Sequence, residues 1–332
     1  MSTLAANPPT DRAGRTVSYL RLSVTDRCDL RCRYCLPEQP RFLPKAQILT
    51  LEQLLLIAQV FVGRGITKIR ITGGEPLARR NVIWLIERIA ALPGLAETVL
   101  TTNGTRLAAM ADDLRCAGIA RINVSLDTLD AAKFTRLTRT GDLAQVTAGL
   151  AAAAAAGFAA IRINTVLMNG FNDDELTALV EFADQLGADI SFIEEMPLGD
   201  IDGSRPHRYL EAGAALAILH RRFALTETDY SSGGPARYWQ LANSPTRVGF
   251  IAPHSRNFCA SCNRLRITCT GDLYPCLGQN GRVALAAAAA AGDRQAISDA
   301  IDRALANKPD GHHFAAANAG AQVLRYMATT GG

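Results

Sequence analysis

Apolar and polar positions along this chain follow two rhythms. Between residues 19 and 24, Leu20, Leu22 and Val24 are separated by Arg21 and Ser23. That period of two belongs to a strand with one buried face. Between 51 and 62, Leu54, Leu55, Ala58 and Val62 recur at helical spacing, with Thr50 ahead as an N-cap and Gly65 behind as a stop. The alternation then repeats. Strands are predicted at 68–72, 98–101, 121–125, 160–168 and 190–194. Helices are predicted through Leu85, Ile86 and Ile89, ahead of 121, through the alanine tract 151–156 to Gly157, and after Asn172-Asp-Asp-Glu175. This last segment would place carboxylates in a first helical turn, where the helix dipole favours them.

Six strand–helix units imply parallel βα connections. The periodicity fits a partial (β/α)6 barrel of the TIM type and equally an open doubly wound sheet. Polar residues and glycines gather after the strands: Asp26 and the cysteines beyond it, 72–75, 102–104, Ser125 and Asp127, Asn164, Glu194 and Met196. In a barrel those strand ends form one active face. After Gly199 the texture changes to a polar linker at 200–206, a helix-like stretch at 209–221 and short strands around 223–252. The expected organisation is a flexible arm over 1–16, a barrel over 17–199 and an α+β extension over 200–332. The alanine tract 286–291 reads as a helix of high propensity. The rest of 281–320 carries no motif.

Composition narrows the class. Hydrophobic residues make up 48% and charged residues 20%, which describes a globular protein. A net charge of +4 is too mild to argue for nucleic acid, but it suits a small anionic substrate if the basic residues cluster. The first 16 residues have no apolar core and read as neither a secretory signal nor a transit peptide. The alanine-rich run at 148–160 is too short to span a bilayer. A cytoplasmic protein with no nucleic-acid or membrane partner is expected.

The cysteines carry the chemistry. Of eight, Cys28, Cys32 and Cys35 are spaced C-x3-C-x2-C, and Cys259, Cys262 and Cys276 are spaced C-x2-C-x13-C. Cys116 and Cys269 stand outside both groups. Such grouping in a long chain indicates metal binding rather than disulfides. Three thiolates on one short loop can share an iron–sulfur cluster and leave one iron open to a ligand. Zinc sites more often show paired C-x2-C knuckles or histidines, and the histidine nearest the first group is His207. The second group is ambiguous by itself, because His254 could complete a zinc knuckle with it. Gly73-Gly74-Glu75-Pro76 alone reads as a tight turn. Ser125 alone reads as a strand-end hydroxyl and Met196 as a core methionine. An arginine singled out by type alone is usually a solvated charge. Arg21 and Arg70 differ in sitting inside apolar strands. Arg264 and Arg266 alternate, so both point to one face.

The string from Leu20 to Pro37, Leu-Arg-Leu-Ser-Val-Thr-Asp-Arg-Cys-Asp-Leu-Arg-Cys-Arg-Tyr-Cys-Leu-Pro, resembles the radical S-adenosylmethionine enzymes. Among them it resembles the GTP 3′,8-cyclase family of molybdenum cofactor biosynthesis. The second cysteine group lies in Asn257-Phe-Cys-Ala-Ser-Cys-Asn-Arg-Leu-Arg266 and Pro275-Cys-Leu277, which are similar to that family's C-terminal site. The resemblance implies the partial barrel. It also implies a 4Fe-4S cluster on each triad, the first with an open iron for S-adenosylmethionine and the second with an open iron for guanine. Reductive cleavage would yield a 5′-deoxyadenosyl radical. That radical takes the ribose 3′ hydrogen of GTP, and closure onto carbon 8 gives 3′,8-cyclo-7,8-dihydro-GTP. By the same resemblance Tyr34, Gly74, Glu75, Ser125 and Met196 contact S-adenosylmethionine. Arg21, Arg70, Thr101, Arg162, Arg264 and Arg266 face GTP. Gly331-Gly332 matches a tail inserted into the active site, where it acts with Arg266. Implied partners are an electron donor such as flavodoxin or ferredoxin and a downstream cyclic pyranopterin monophosphate synthase, and a homodimer is compatible.

The chain departs from the family at three places. Arg162 stands where lysine is usual, Ser191 where a further arginine is common, and Glu195 where an apolar residue is usual. The resemblance is close over 15–280 and weak over 281–320. Two rival readings remain: a two-cluster enzyme that modifies a peptide, and a non-enzymatic iron–sulfur or zinc protein.

Overall fold

The computed structural model describes residues 8–199, 201, 205–312, 314 and 323–331. Six strands carry the expected alternation: β1 (Tyr19–Ser23), β2 (Lys68–Thr72), β3 (Glu97–Thr102), β4 (Ile119–Ser125), β5 (Ala160–Leu167) and β6 (Asp189–Glu194). They pair in parallel and in chain order. A doubly wound sheet reverses its strand order at a switch point, whereas sequential order is that of a TIM-type barrel. The intervening helices are α1 (Leu51–Gly63), α2 (Val82–Ala90), α3 (Leu107–Cys116), α4 (Ala131–Thr138), α5 (Leu143–Ala156) and α6 (Leu176–Gln185). Thr50 caps α1 in a reciprocal box with Gln53, and Gly157 ends α5 in the left-handed region.

The extension continues the same sheet at both ends. It contributes α7 (Arg205–Arg208), α8 (Ala212–His220), β7 (Leu225–Thr228), β8 (Arg237–Leu241), β9 (Arg247–Ile251), β10 (Arg264–Ile267), β11 (Asp272–Tyr274), β12 (Val283–Ala284), α9 (Ala286–Ala291), α10 (Arg294–Ala306) and α11 (Met327–Thr330). Strand order is β12-β11-β10-β1-β2-β3-β4-β5-β6-β9-β8-β7. β9 pairs in parallel with β6, and β10 in parallel with β1. Residues late in the chain thus cover both edges of the barrel sheet and stand beside its first strand.

Several expectations need correction. Residues 8–16 are not a loose arm. Asp11 and Arg15 form a buried ion pair at 2.6 Å, and Arg15 also donates to the carbonyls of Cys259, Pro309 and Asp310 at 3.0, 2.7 and 3.0 Å. α4 has no counterpart among the predicted helices. Asn172-Asp-Asp-Glu175 does not supply a first helical turn, because α6 begins at Leu176. Asn172 instead closes the turn by bonding Met168, Asp127 and Val166, and Glu175 accepts from Thr128 and Leu129. The stretch 45–63 has the length and apolarity to cross a membrane. Its helical part, α1, instead seals Leu54, Ile57, Ala58 and Phe61 in the core. Truncating Ile57 to alanine there is worth about 2–5 kcal/mol of stability.

Candidate active site between two cysteine triads

The first triad sits on the loop after β1 and is fastened from three sides. Gly74 and Glu75, after β2, donate backbone N–H groups to the carbonyls of Thr25 and Arg27, both at 2.8 Å. Asn103 and Thr105, after β3, hold the Asp29 carboxylate at 2.7 and 2.8 Å. The end of α4 accepts the N–H groups of Arg31 and Arg33 at Thr138 and Leu137. A Cβ on Gly74 would lie 2.5 Å from the Arg27 carbonyl oxygen, so glycine is required there for the approach of one loop to the other. Glu75 is sealed from solvent. Its Oε1 accepts from Leu77 N–H and Thr102 Oγ1, and its Oε2 from Asn103 N–H. Burial raises this carboxyl to about 7 against those three bonds.

The three thiols are half-buried, in acidic surroundings. Burial, then Glu75 and neighbouring acids, push the Cys28 thiol up to about 12. Burial pushes Cys35 up to about 11 and Cys32 well above the usual thiol range, with Asp127 adding to both. Tyr34 donates to Asp127 Oδ2 at 2.8 Å, and Asp127 Oδ1 accepts Val166 N–H. Backbone N–H groups of Leu30 and Ala328 point at the sulfurs of Cys28 and Cys35, and Asn103 Nδ2 lies 3.7 Å from Cys28 Sγ. The fold thus offers three free thiols with donors aimed at sulfur and no disulfide, a donor set suited to a thiolate-bound cluster. Glu75 Oε2 accepts a single bond, which leaves capacity for an ammonium group.

Register builds the second half of the site. β10, β1 and β2 align Arg266, Arg21 and Arg70 side by side, and two residues earlier they align Arg264, Tyr19 and Lys68. Side chains two apart share a face. Five cations therefore surround one phenol on a single face. Arg70 Nε donates to the Tyr19 hydroxyl, and Lys68 Nζ lies 5.0 Å from the centre of its ring. Burial alone would raise Tyr19, but Arg70, Arg21 and Lys68 outweigh it and bring it down to about 7. Burial, Arg21 and Arg264 hold Arg266 well below the usual arginine range, while burial lowers Arg21 to about 10. Cations crowded against each other in this way are preorganised for a polyanion.

These residues line one open cleft. Arg21, Arg70, Thr101, Arg162, Arg264 and Arg266 all face it, together with Met196 and the second triad, Cys259, Cys262 and Cys276. Thr101 Oγ1 accepts from Arg70 Nη1 at 2.9 Å. Arg162 pairs with Asp189 at 3.3 Å and lies over the Tyr238 ring at 4.9 Å. Ser191 is fully buried on the same wall, and its Oγ has no partner among the described residues. Glu195, the third departure from the family pattern, is turned to Arg208 in a 2.6 Å ion pair.

The second triad has basic neighbours. Arg264 Nη2 and Lys308 Nζ lie 3.7 and 3.6 Å from Cys262 Sγ. Burial would raise Cys262, but those two cations outweigh it and bring it down to about 7. His254 Nε2 meets the Glu195 carbonyl at 3.0 Å, and its ring packs against Tyr209 and Phe314. Among the described residues no three His, Cys, Asp or Glu side chains converge closely enough for a single ion.

The C-terminal segment enters between the two halves. Gly331 is buried, and its carbonyl accepts from Arg266 Nη1 at 2.8 Å. A Cβ there would lie 2.2 Å from Thr72 Cγ2. Gly332 lies outside the described residues.

The sequence-predicted residues thus fall into two sets. The six substrate candidates, Met196 and the second triad share one cleft. Tyr34, Gly74, Glu75 and Ser125 do not line it; the first three fasten the loop of the first triad, and Ser125 closes β4 beside Asn164. Asn164, expected on the active face, also lines the cleft, whereas Lys68, Tyr19, Asn123 and Tyr238 line it and escaped the sequence reading. The alternation Lys68-Ile-Arg70 was a usable signal for Lys68, since it shares the face of Arg70.

Two families match the chain: the Radical SAM superfamily over residues 22–183 and Molybdenum Cofactor Synthesis C over residues 188–314. A protein of Erythrobacter litoralis named GTP 3′,8-cyclase is 51% identical over 99% of this chain and 100% of its own length. GTP 3′,8-cyclase 1 of Pseudomonas aeruginosa is 50% identical over 97% and 98%. Among solved structures, SuiB of Streptococcus suis bound to S-adenosylmethionine has a TM-score of 0.61 at 17% identity, over 80% of this chain. The chain spans 62% of that protein, and the likeness is one of fold.

Proposed function

This chain belongs to the GTP 3′,8-cyclase family of radical S-adenosylmethionine enzymes, and from that premise we propose how its residues divide the work. It is an enzyme of molybdenum cofactor biosynthesis that uses S-adenosylmethionine and iron–sulfur clusters, with GTP as substrate. Residues 17–199 form the radical-generating barrel, and 200–332 form the extension that carries the second cluster and the Gly-Gly tail. Cys28, Cys32 and Cys35 hold one 4Fe-4S cluster, and Cys259, Cys262 and Cys276 hold the other. When bound and reduced by one electron, the first cluster would cleave S-adenosylmethionine and supply a 5′-deoxyadenosyl radical for removal of the ribose 3′ hydrogen of GTP; closure onto carbon 8, completed by one further electron and one proton, would give 3′,8-cyclo-7,8-dihydro-GTP.

Every other task falls to the chain's own groups. Glu75 offers its remaining acceptor position to the ammonium of S-adenosylmethionine. Tyr34, Gly74 and Ser125 shape that ligand's side of the site, and Met196 packs against it. Arg21, Arg70, Arg264 and Arg266, with Lys68, bind the triphosphate through charge-assisted bonds. Thr101 orients Arg70, and Arg162 supplies a further cation from β5. Gly331 fixes Arg266 through its carbonyl, and Gly332 is assigned to the same task by the family resemblance alone. The apolar walls of the cleft limit water, which suits a reactive radical. An electron donor such as flavodoxin or ferredoxin, a downstream cyclic pyranopterin monophosphate synthase, a homodimer and a cytoplasmic location complete the proposal.

The observation that carries this reading is the convergence of six cations and three thiols on one cleft. The decisive test is an anaerobic reaction with reductant, S-adenosylmethionine and GTP, followed by mass analysis. Cyclised GTP and 5′-deoxyadenosine are expected together. Deoxyadenosine without any change to GTP, but with modification of an added peptide, would support the rival peptide-modifying enzyme instead.

A further inference from the structure

Lys308 lies in the alanine-rich region where no motif is legible, two residues beyond α10, and is 5% exposed. Its ammonium donates to three acceptors: the carbonyls of Arg264 at 2.8 Å and Pro275 at 2.7 Å, and Cys262 Sγ at 3.6 Å. All three of its protons are thereby engaged. Among the described residues no carboxylate pairs with it. A buried cation without a counter-charge is costly, and the anion within its reach is a thiolate of the second triad. A second buried cation fixes its backbone: Arg15 grips the carbonyls of Pro309, Asp310 and Cys259. The N-terminal segment and the region after α10 therefore meet under the second triad, and Lys308 joins the strand bearing Arg264 to the loop bearing Cys276.

We infer that Lys308 is a positioning residue for the second cluster, holding the Cys262 thiolate by a charge-assisted bond and offsetting the negative charge that a thiolate-bound cluster brings into a buried site. The inference rests on the reading of Cys259, Cys262 and Cys276 as cluster ligands. A merely structural clamp would need only the two carbonyl bonds.

The test compares the anaerobically loaded full chain with its Lys308→Met and Lys308→Arg variants. Iron is counted per chain, and a redox titration is followed by electron paramagnetic resonance. The second cluster's signal is identified as the one retained when Cys28, Cys32 and Cys35 are replaced by alanine. The first cluster's signal in each Lys308 variant is the control for folding. In Lys308→Met the second cluster's reduced-to-oxidised ratio at fixed potential should fall about tenfold, a downward shift of about 59 mV for one electron. Lys308→Arg should recover most of it. Loss of the second cluster's iron in Lys308→Met with retention in Lys308→Arg would support the same role more strongly. An unchanged midpoint in Lys308→Met, or equal shifts or equal iron loss in both variants, would overturn it in favour of a packing clamp. Wild-type protein holding only the first triad's iron would instead overturn the reading of the second triad, and the inference with it.

Discussion

The two cysteine triads present three thiols each, the first among acidic neighbours and the second with two cations beside Cys262. Around Cys28, Cys32 and Cys35 stand Asp29, Glu75 and Asp127, and burial plus these acids push the thiols up. Around Cys262 stand Arg264 and Lys308, which bring that thiol down. Net charge, hydrogen bonds to sulfur and exposure set a cluster's potential. Acidic surroundings oppose reduction and make the reduced state a stronger donor; basic surroundings ease reduction and gather anions. The difference teaches that ligand spacing identifies where a cluster sits, while the neighbouring charges decide what it is for.

Removing a triad breaks the comparison most completely. Replacing Cys28, Cys32 and Cys35 with alanine should remove half of about eight irons per chain, together with all cleavage of S-adenosylmethionine. Replacing Cys259, Cys262 and Cys276 should remove the other half, leave some cleavage and abolish cyclised product. Redox titration of the two variants should place the remaining second-triad cluster at the higher potential. Full iron in either variant would remove that triad from the assignment, and equal potentials would remove the electrostatic contrast.

Next in size is Gly331→Ala. Its Cβ would collide with Thr72 and disturb the carbonyl that holds Arg266, at a φ of 76° that already favours glycine. Iron content should be unchanged and deoxyadenosine should still form, while cyclised product nearly disappears. The measurement is the ratio of the two products in one reaction. A ratio equal to wild type would show that the segment only packs.

Smaller losses should follow from the cation ladder. Arg264→Ala, Arg266→Ala or Lys68→Ala should each weaken GTP binding by about 1.5–3 kcal/mol, the scale of a bond to a charged group. Calorimetry with GTP and with guanosine separates phosphate contacts from base contacts, and an equal loss for both ligands would take the residue out of the phosphate site. The smallest effect belongs to Ser191→Arg, which restores the cation common in the family at a wall position whose hydroxyl has no partner among the described residues. Binding should stay unchanged or tighten by less than about tenfold, or 1.4 kcal/mol. A large loss there would mean that the cleft seats its substrate differently.

Much of the barrel was readable because βα periodicity is a local pattern: all six barrel strands fall within two residues of their predicted ends. α4 escaped because Phe134 and Leu137 are its only large apolar residues in the core, too few to set a clear period. Arg21 and Arg70 were legible as charges inside apolar strands. Tyr19 was not, because a strand's first residue is ordinarily polar or half-exposed and its burial depends on which strands lie beside it, and Lys68 was signalled only through its alternation with Arg70. Gly74 alone read as part of a tight turn; the structure shows that its lack of a side chain admits the cysteine loop against it.

Thiol spacing and strand period are properties of adjacent residues, so the chain alone specified two three-cysteine sites and a parallel α/β layout. The pairing of β10 with β1 is a contact between distant segments, governed by how the whole sheet closes. That pairing sets Arg266 beside Arg21 and Arg264 beside Tyr19. Packing of the N-terminal segment and the region after α10 likewise brings Arg15 and Lys308 beneath the second triad. Charge at a site sums over neighbours in space, and no periodicity along the chain records which neighbours those are.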